Sequence, residues 1–209
     1  MNLRTLLLVS AALIALLAGI GIAVLGQQRP SVEALWLKQP RPLVEVTLQD
    51  QLREPFGQAQ LQGKWTLLFI GYTSCPDICP TTMADLARLY PKLAMDNLQV
   101  VMLSADPVRD TPDRLDEYIY HFEPSFKGVT GEHSQLYPFT QSLGLVYALV
   151  DSPTGGDYLV DHSADIVLIN PQGQLEAIFR PQDLGPGQLR TVSMAQIERE
   201  LPKIVDYQS

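Results

Sequence analysis

The chain has two cysteines among its 209 residues, and they stand four apart, at Cys75 and Cys79. Pro76-Asp77-Ile78 lies between them, the apolar run Leu67-Leu68-Phe69-Ile70 precedes them and a helical pattern follows. Two thiols placed where a buried strand gives way to a helix start suit redox or soft-metal chemistry. Residues four apart share one face of a helix, with Cα atoms about 6 Å apart, inside the range a disulfide tolerates. The same pair can therefore close as a disulfide or open as two thiolates. Pro80 fits the first helical turn, where its missing N–H is not needed. The positive end of that helix should lower a nearby thiol pKa, and Asp77 opposes the trend if it lies close.

A structural disulfide is the plainer use of two cysteines in an exported domain, but a bridge closing so small a loop constrains the unfolded chain little. Thiol oxidoreductases use Cys-x-x-Cys, whereas this pair is separated by three residues, which relaxes the loop and lets both sulfurs face one ion. Two soft thiolates favour Cu(I), with Zn(II) as the rival, and either metal wants a third protein ligand. Oxidation to the disulfide would abolish binding, so thiol redox state would gate metal loading.

Only three histidines are available for that third position. His121 follows Tyr118-Ile119-Tyr120 near a helix end and reads as a capping or packing residue, and His133 opens a helix after Gly131 in the same role. His162, in Asp161-His162-Ser163, precedes the apolar strand Ile166 to Ile169, and a loop feeding a sheet can lie at the edge where the thiols sit. Asp106 and Arg109-Asp110 follow a strand at its C-terminal end, the edge where open α/β sheets place their sites. They read as an Asp-Pro turn with a salt bridge organising the next helix, or, more sharply, as a device for docking a partner or tuning the thiols. Trp65 and Tyr72 read as core or rim residues.

The elements that must position these groups follow from periodicity. Leu43 to Leu48 alternates apolar and polar residues before a turn-rich stretch with Pro55 and Gly57, which predicts an N-terminal hairpin. Trp65 to Ile70 and Leu98 to Leu103 read as strands buried on both faces. Met83, Leu86, Ala87, Tyr90 and Leu93 recur at helical spacing, with Pro91 expected to kink or end that helix. Thr111-Pro112 is an N-cap with proline at the first helical position, ahead of the face Leu115, Tyr118, Ile119 and Phe122. Ile166 to Ile169 and Leu175 to Phe179 form a hairpin around Asn170-Pro171-Gln172-Gly173, and Gln188 to Val205 is a final amphipathic helix, disturbed at Pro202. The order predicts an α/β fold, a central mixed sheet flanked by helices, with paired thiols at the first strand–helix junction: the thioredoxin-like plan.

Ahead of this domain, Leu6 to Leu25 is apolar and uncharged, about the 20 residues a bilayer span needs and longer than a signal-peptide core. It reads as an uncleaved transmembrane helix within residues 1–26, with a cleaved signal as the rival. Residues 27–42, with Pro30, Pro40 and Pro42, read as a tether, and residues 43–209 as one thioredoxin-like domain. The short tail before the span resembles an export signal, which places the domain on the periplasmic side of a bacterial inner membrane. Net charge is −8 and the pI about 4.8, with acidic residues scattered, so no electrostatic grip on nucleic acid is expected.

Gly71-Tyr72-Thr73-Ser74-Cys75-Pro76-Asp77-Ile78-Cys79-Pro80 resembles the signature of the Sco/SenC family, membrane-anchored thioredoxin-like proteins that handle copper for cytochrome oxidase assembly. Asp106 to Pro112, Val129-Thr130-Gly131 and Asp161-His162-Ser163 resemble further family segments in the same order, over a stretch from about Leu43 to the C-terminus. The resemblance implies copper, as Cu(I) or Cu(II), on Cys75, Cys79 and His162. It implies as partner the binuclear copper site of cytochrome c oxidase subunit II, or another copper chaperone. Ser74 departs from the pattern, since many members carry His before the first cysteine.

Two uses stay open: a metallochaperone, and a thiol–disulfide oxidoreductase in which Cys75 and Cys79 are the catalytic pair that reduces the copper-site cysteines of the oxidase subunit or another exported partner. A peroxidase is disfavoured, because Tyr72 and Pro76 stand where the Thr of Pro-x-x-x-Thr-x-x-Cys would be.

Overall fold

The computed structural model describes residues 2–26, 29–151, 158–182, 185 and 189–208. They divide into two compact units, one taking in residues up to Ser31 and from Lys203 onward, the other Val32–Pro202. The second unit holds the sheet and every residue that the sequence marks for chemistry.

In the first unit, α1 (Leu3–Gly26) is a continuous helix of 24 residues. Among the described residues no helix is long and apolar enough to cross a membrane.

The second unit begins with β1 (Leu35–Pro42). This stretch, expected as part of the tether, pairs antiparallel with the last strand of the sheet, its register broken between Trp36 and Arg41. An edge strand with a bulge tolerates Pro40 and Pro42, because one side of its backbone owes no ladder hydrogen bonds. The first two residues of the expected tether, 27 and 28, lie outside the described residues. The expected hairpin forms from β2 (Leu48–Asp50) and β3 (Pro55–Phe56), so its first strand starts at Leu48 and Leu43 to Thr47 lead into it. The short α2 (Gln58–Leu61) follows.

At the centre, β4 (Trp65–Gly71) and β5 (Leu98–Ser104) run parallel in register from Trp65 opposite Leu98 to Gly71 opposite Ser104. All seven positions of each are buried. Burial of both odd and even positions means that both faces of the sheet are covered. Each large apolar side chain so buried contributes about 1.5–3 kcal/mol. Between them, α3 (Ile78–Leu93) buries Cys79, Met83, Leu86, Leu89 and Leu93. Pro91 sits inside its last turn rather than ending it, and Ala94 closes the helix in a left-handed conformation, φ 48°.

Then come α4 (Pro112–Phe122), capped as expected by Thr111, β6 (Lys127–Thr130), α5 (His133–Leu143), β7 (Tyr147–Val150) and β8 (Leu159–His162). The chain closes with β9 (Ile166–Ile169), β10 (Gln174–Phe179) and α6 (Met194–Gln208). The β9–β10 turn rests on Gly173 at φ 72°, a conformation that glycine adopts without penalty. The final helix starts at Met194, with Pro202 inside it; Gln188, its expected first residue, lies outside the described residues.

Strand order is β1-β10-β9-β4-β5-β6-β2-β3, with β7 and β8 forming a separate two-stranded sheet. β4, β5 and β6 are parallel and the other pairings antiparallel, the mixed sheet expected from the sequence.

Candidate metal centre

The thiol loop springs from the C-terminal end of β4, beside the end of β5, and the backbone N–H of Ala105 donates to the Gly71 carbonyl at 3.0 Å. Asp110, fully buried, holds the loop in place. Its carboxylate accepts from the Thr73 N–H at 2.9 Å, the Thr73 hydroxyl at 2.6 Å and the Ser104 hydroxyl at 2.5 Å. Burial pushes the Asp110 carboxyl above its ordinary range, against those donors. Arg114 clasps the loop from outside, donating to the Thr73 and Ser74 hydroxyls at 2.6 and 3.1 Å.

Helix α3 then starts without a side-chain cap from Asp77. A helix leaves its first N–H groups without intrahelical acceptors, and one of these, the Cys79 N–H, donates to Cys75 Sγ at 3.4 Å. A sulfur thus takes the place of the usual oxygen cap. Both cysteines are free; Cys79 is buried and Cys75 half-buried.

Their protons are unequal. Cys75 is pulled down to about 4, first by a hydrogen bond from Cys79 and then by His162 and the backbone N–H groups, against the cost of its burial. Cys79 is pushed up by the same bond, by burial and by the Cys75 charge. One proton shared across two sulfurs produces this split: Cys75 is the thiolate and Cys79 the thiol at neutral pH.

His162 ends β8, with Nε2 3.4 Å from Cys79 Sγ. Its Nδ1 lies 2.9 Å from the Ser163 carbonyl oxygen. A carbonyl only accepts, so Nδ1 donates there and Nε2 is the ring nitrogen that faces the sulfurs. Tyr72 meets the ring edge-on, centroids 6.0 Å apart. The two sulfurs and an imidazole nitrogen lie within 4.8 Å of one another. Among the described residues this is the group of His, Cys, Asp or Glu side chains arranged to hold an ion, and two sulfurs with one imidazole fit a soft metal. An open cleft of about 330 Å³ between Pro76–Ile78 and Val160–His162 leads to it.

The other histidines take the structural roles expected. His121 packs edge-on against Phe122, centroids 5.0 Å apart. His133 shares a hydrogen bond of 2.8 Å with the Tyr147 hydroxyl. The Asp-Pro turn is real, with the Asp110 N–H donating to the Asp106 carbonyl at 2.8 Å and Arg109 ion-paired with Asp106. It also does more than organise α4, since Asp110 fixes the thiol loop. Sequence reasoning missed Ser104 and Tyr158, whose hydroxyl donates to Asp106 at 2.6 Å; each looks like an ordinary strand or loop residue, and no motif marks it.

Comparison with known proteins places this arrangement. The SCO1/SenC family profile matches residues 43–196. A protein of Stutzerimonas stutzeri is 37% identical over 175 residues, covering 82% of this chain and 81% of that one. The SCO2-like protein of Rickettsia prowazekii is 37% identical over 128 residues, and the match spans 62% of its length. The crystal structure of Arabidopsis thaliana ScoI with copper bound superposes with a TM-score of 0.67 at 27% identity, over 78% of this chain and 98% of that one. On the extent of the profile match and of the sequence identity, the chain belongs to the SCO1/SenC family.

Proposed function

We propose that this protein is a copper metallochaperone of cytochrome c oxidase assembly, with the ion held by Cys75, Cys79 and His162. The observation that carries the reading is the convergence of two free cysteine sulfurs and an imidazole nitrogen within 4.8 Å, beside an open cleft. Soft sulfur donors select Cu(I), and a half-buried site keeps one side open for transfer. Copper bound in the Arabidopsis relative supports the choice of metal. In this reading α1 anchors the protein in a bacterial inner membrane and the following segment lifts the domain into the periplasm. The acceptor is the binuclear copper site of oxidase subunit II, or another copper chaperone hands the ion on.

The split between the thiols favours a second reading, a thiol–disulfide reductase. The Cys75 thiolate attacks a partner disulfide and releases one partner thiolate. Cys79, once deprotonated, attacks the Cys75 sulfur and releases the second, so the partner gains two electrons and the domain ends as its disulfide. The two readings separate on one experiment: copper retention by the reduced protein against a competing chelator, with Cys75→Ser and His162→Ala in parallel. One copper held per chain, lost in Cys75→Ser and weakened in His162→Ala, is the chaperone result. Full retention in Cys75→Ser refutes it.

A further inference from the structure

His162 stands on a strand that the main sheet does not hold. Among the described residues β8 pairs with β7, and the eight-stranded sheet that carries the thiol helix does not include it. The β7–β8 ladder therefore does not fix the separation of His162 from Cys79, and beyond the three-residue link to β9, which starts at Ile166 opposite Phe69 of β4, side chains must hold it. We propose that Arg109 and Tyr158 are positioning residues that, with Asp106, clamp β8 to the end of β5 and so set His162 against the two sulfurs.

The contacts are specific. Tyr158, four residues before His162, donates its hydroxyl to Asp106 Oδ1 at 2.6 Å. Arg109 is ion-paired with the same carboxylate and donates through Nη1 to the Tyr158 carbonyl at 3.0 Å. Its guanidinium lies over the Tyr158 ring at 4.0 Å and beside the Tyr72 ring at 5.7 Å. Tyr72 in turn meets the His162 ring edge-on. Buried ion pairs are weak sources of stability, and Asp106 is buried to 1% exposure, so geometry is the better account of this one. A planar fork that stacks and bonds at once is a task for arginine rather than lysine. One turn, Asp106 to Asp110, thus holds both halves of the cluster: Asp110 grips the thiol loop through Thr73, and Asp106 grips β8 through Arg109 and Tyr158.

The metal arm of the test rests on the copper reading, so a second arm needs no metal. In the reduced, metal-free protein, Arg109→Ala and Tyr158→Phe should shift the His162 ring resonances and weaken the nuclear Overhauser contacts between His162 and Tyr72, with the β4 and β5 amide signals unchanged. In competition for Cu(I) with bathocuproine disulfonate, Arg109→Ala should weaken binding about tenfold or more, as loss of outer-shell support for a ligand does. In a His162→Ala background the same substitution should change binding by less than about twofold. Arg109→Ala strips Asp106 of its cation and puts the fold at risk. Tyr158→Phe keeps ring and ion pair, and should give a smaller loss in a folded protein. Equal weakening by Arg109→Ala with and without His162, or His162–Tyr72 contacts intact in Tyr158→Phe, overturns the proposal. Failure of the wild type to hold Cu(I) overturns the copper reading instead, and the metal-free arm alone then decides the clamp.

Discussion

The most direct test of the site's electrostatics is to remove the proton that the two sulfurs share. Cys75 sits at about 4 chiefly because Cys79 donates a hydrogen bond to its thiolate. Cys79→Ala deletes that donor's side chain and leaves the backbone N–H of residue 79 and His162 in place. A hydrogen bond to a charged group is worth about 1.5–3 kcal/mol, and each pKa unit is about 1.4 kcal/mol, so the Cys75 midpoint should rise by about 1–2 units. The sign is fixed, because losing a donor to the thiolate disfavours the charged form. Near pH 5, about nine-tenths of Cys75 should be ionised in the wild type and roughly a tenth to a half in the variant. Thiolate absorbance during a pH titration of the reduced, metal-free protein measures this, and the iodoacetamide rate should follow the same curve. Cys79→Ser keeps a hydroxyl donor and should shift the midpoint less. If Cys79→Ala titrates at the wild-type midpoint, or if Ser and Ala shift it equally, the thiol proton is not the cause, and the helix N–H groups must carry the depression.

The same geometry predicts that limited alkylation of the native reduced protein at mildly acid pH labels Cys75 alone, with Cys79 reacting only after denaturation; peptide mapping by mass spectrometry checks it, and equal labelling refutes the proton assignment. Gly71→Ala would place a Cβ 3.2 Å from Cys79 Sγ and 3.3 Å from the Phe69 ring. It should cost about 1–3 kcal/mol in urea melts and weaken metal binding by displacing the thiol. Asp50 is desolvated, yet the Lys127 ammonium at 2.8 Å and the Glu54 and Leu52 N–H groups hold its carboxyl below its ordinary value. A carboxyl lowered on folding stabilises fully above its unfolded pKa and loses that contribution as pH falls through the folded one. Asp50→Asn should therefore cost about 2 kcal/mol at neutral pH, and the gap to wild type should close below about pH 4 in acid titrations followed by circular dichroism.

How much was legible in the sequence follows from what each element's signal depends on. β4, β5 and the β9–β10 hairpin were plain because unbroken apolar runs and a glycine turn state themselves locally. β1 was not, since Pro40 and Pro42 carry the same mark in a linker as on an edge strand, and only the partner strand decides between them. The thiols were legible as a pair because their four-residue spacing is a local property, although α3 starts only at Ile78 and leaves Cys75 in the loop ahead of it. His162 needed the family resemblance, because its distance from Cys79 is set by a clamp whose members lie at 106, 109 and 158. Asp110 was visible as a charged residue at the productive edge of the sheet; that it would hold the thiol loop through Thr73 was not, since both partners are ordinary residues brought together by the β4–β5 register.

The sulfur cap on α3 makes the helix a listener to its own chemistry. The first turn rests on electron density at Cys75, the atom that oxidation or a bound cation draws upon. When that density is withdrawn, the Cys79 amide keeps its position but loses part of its acceptor. The exchange rate and proton shift of this one backbone amide therefore report the state of the site without any label.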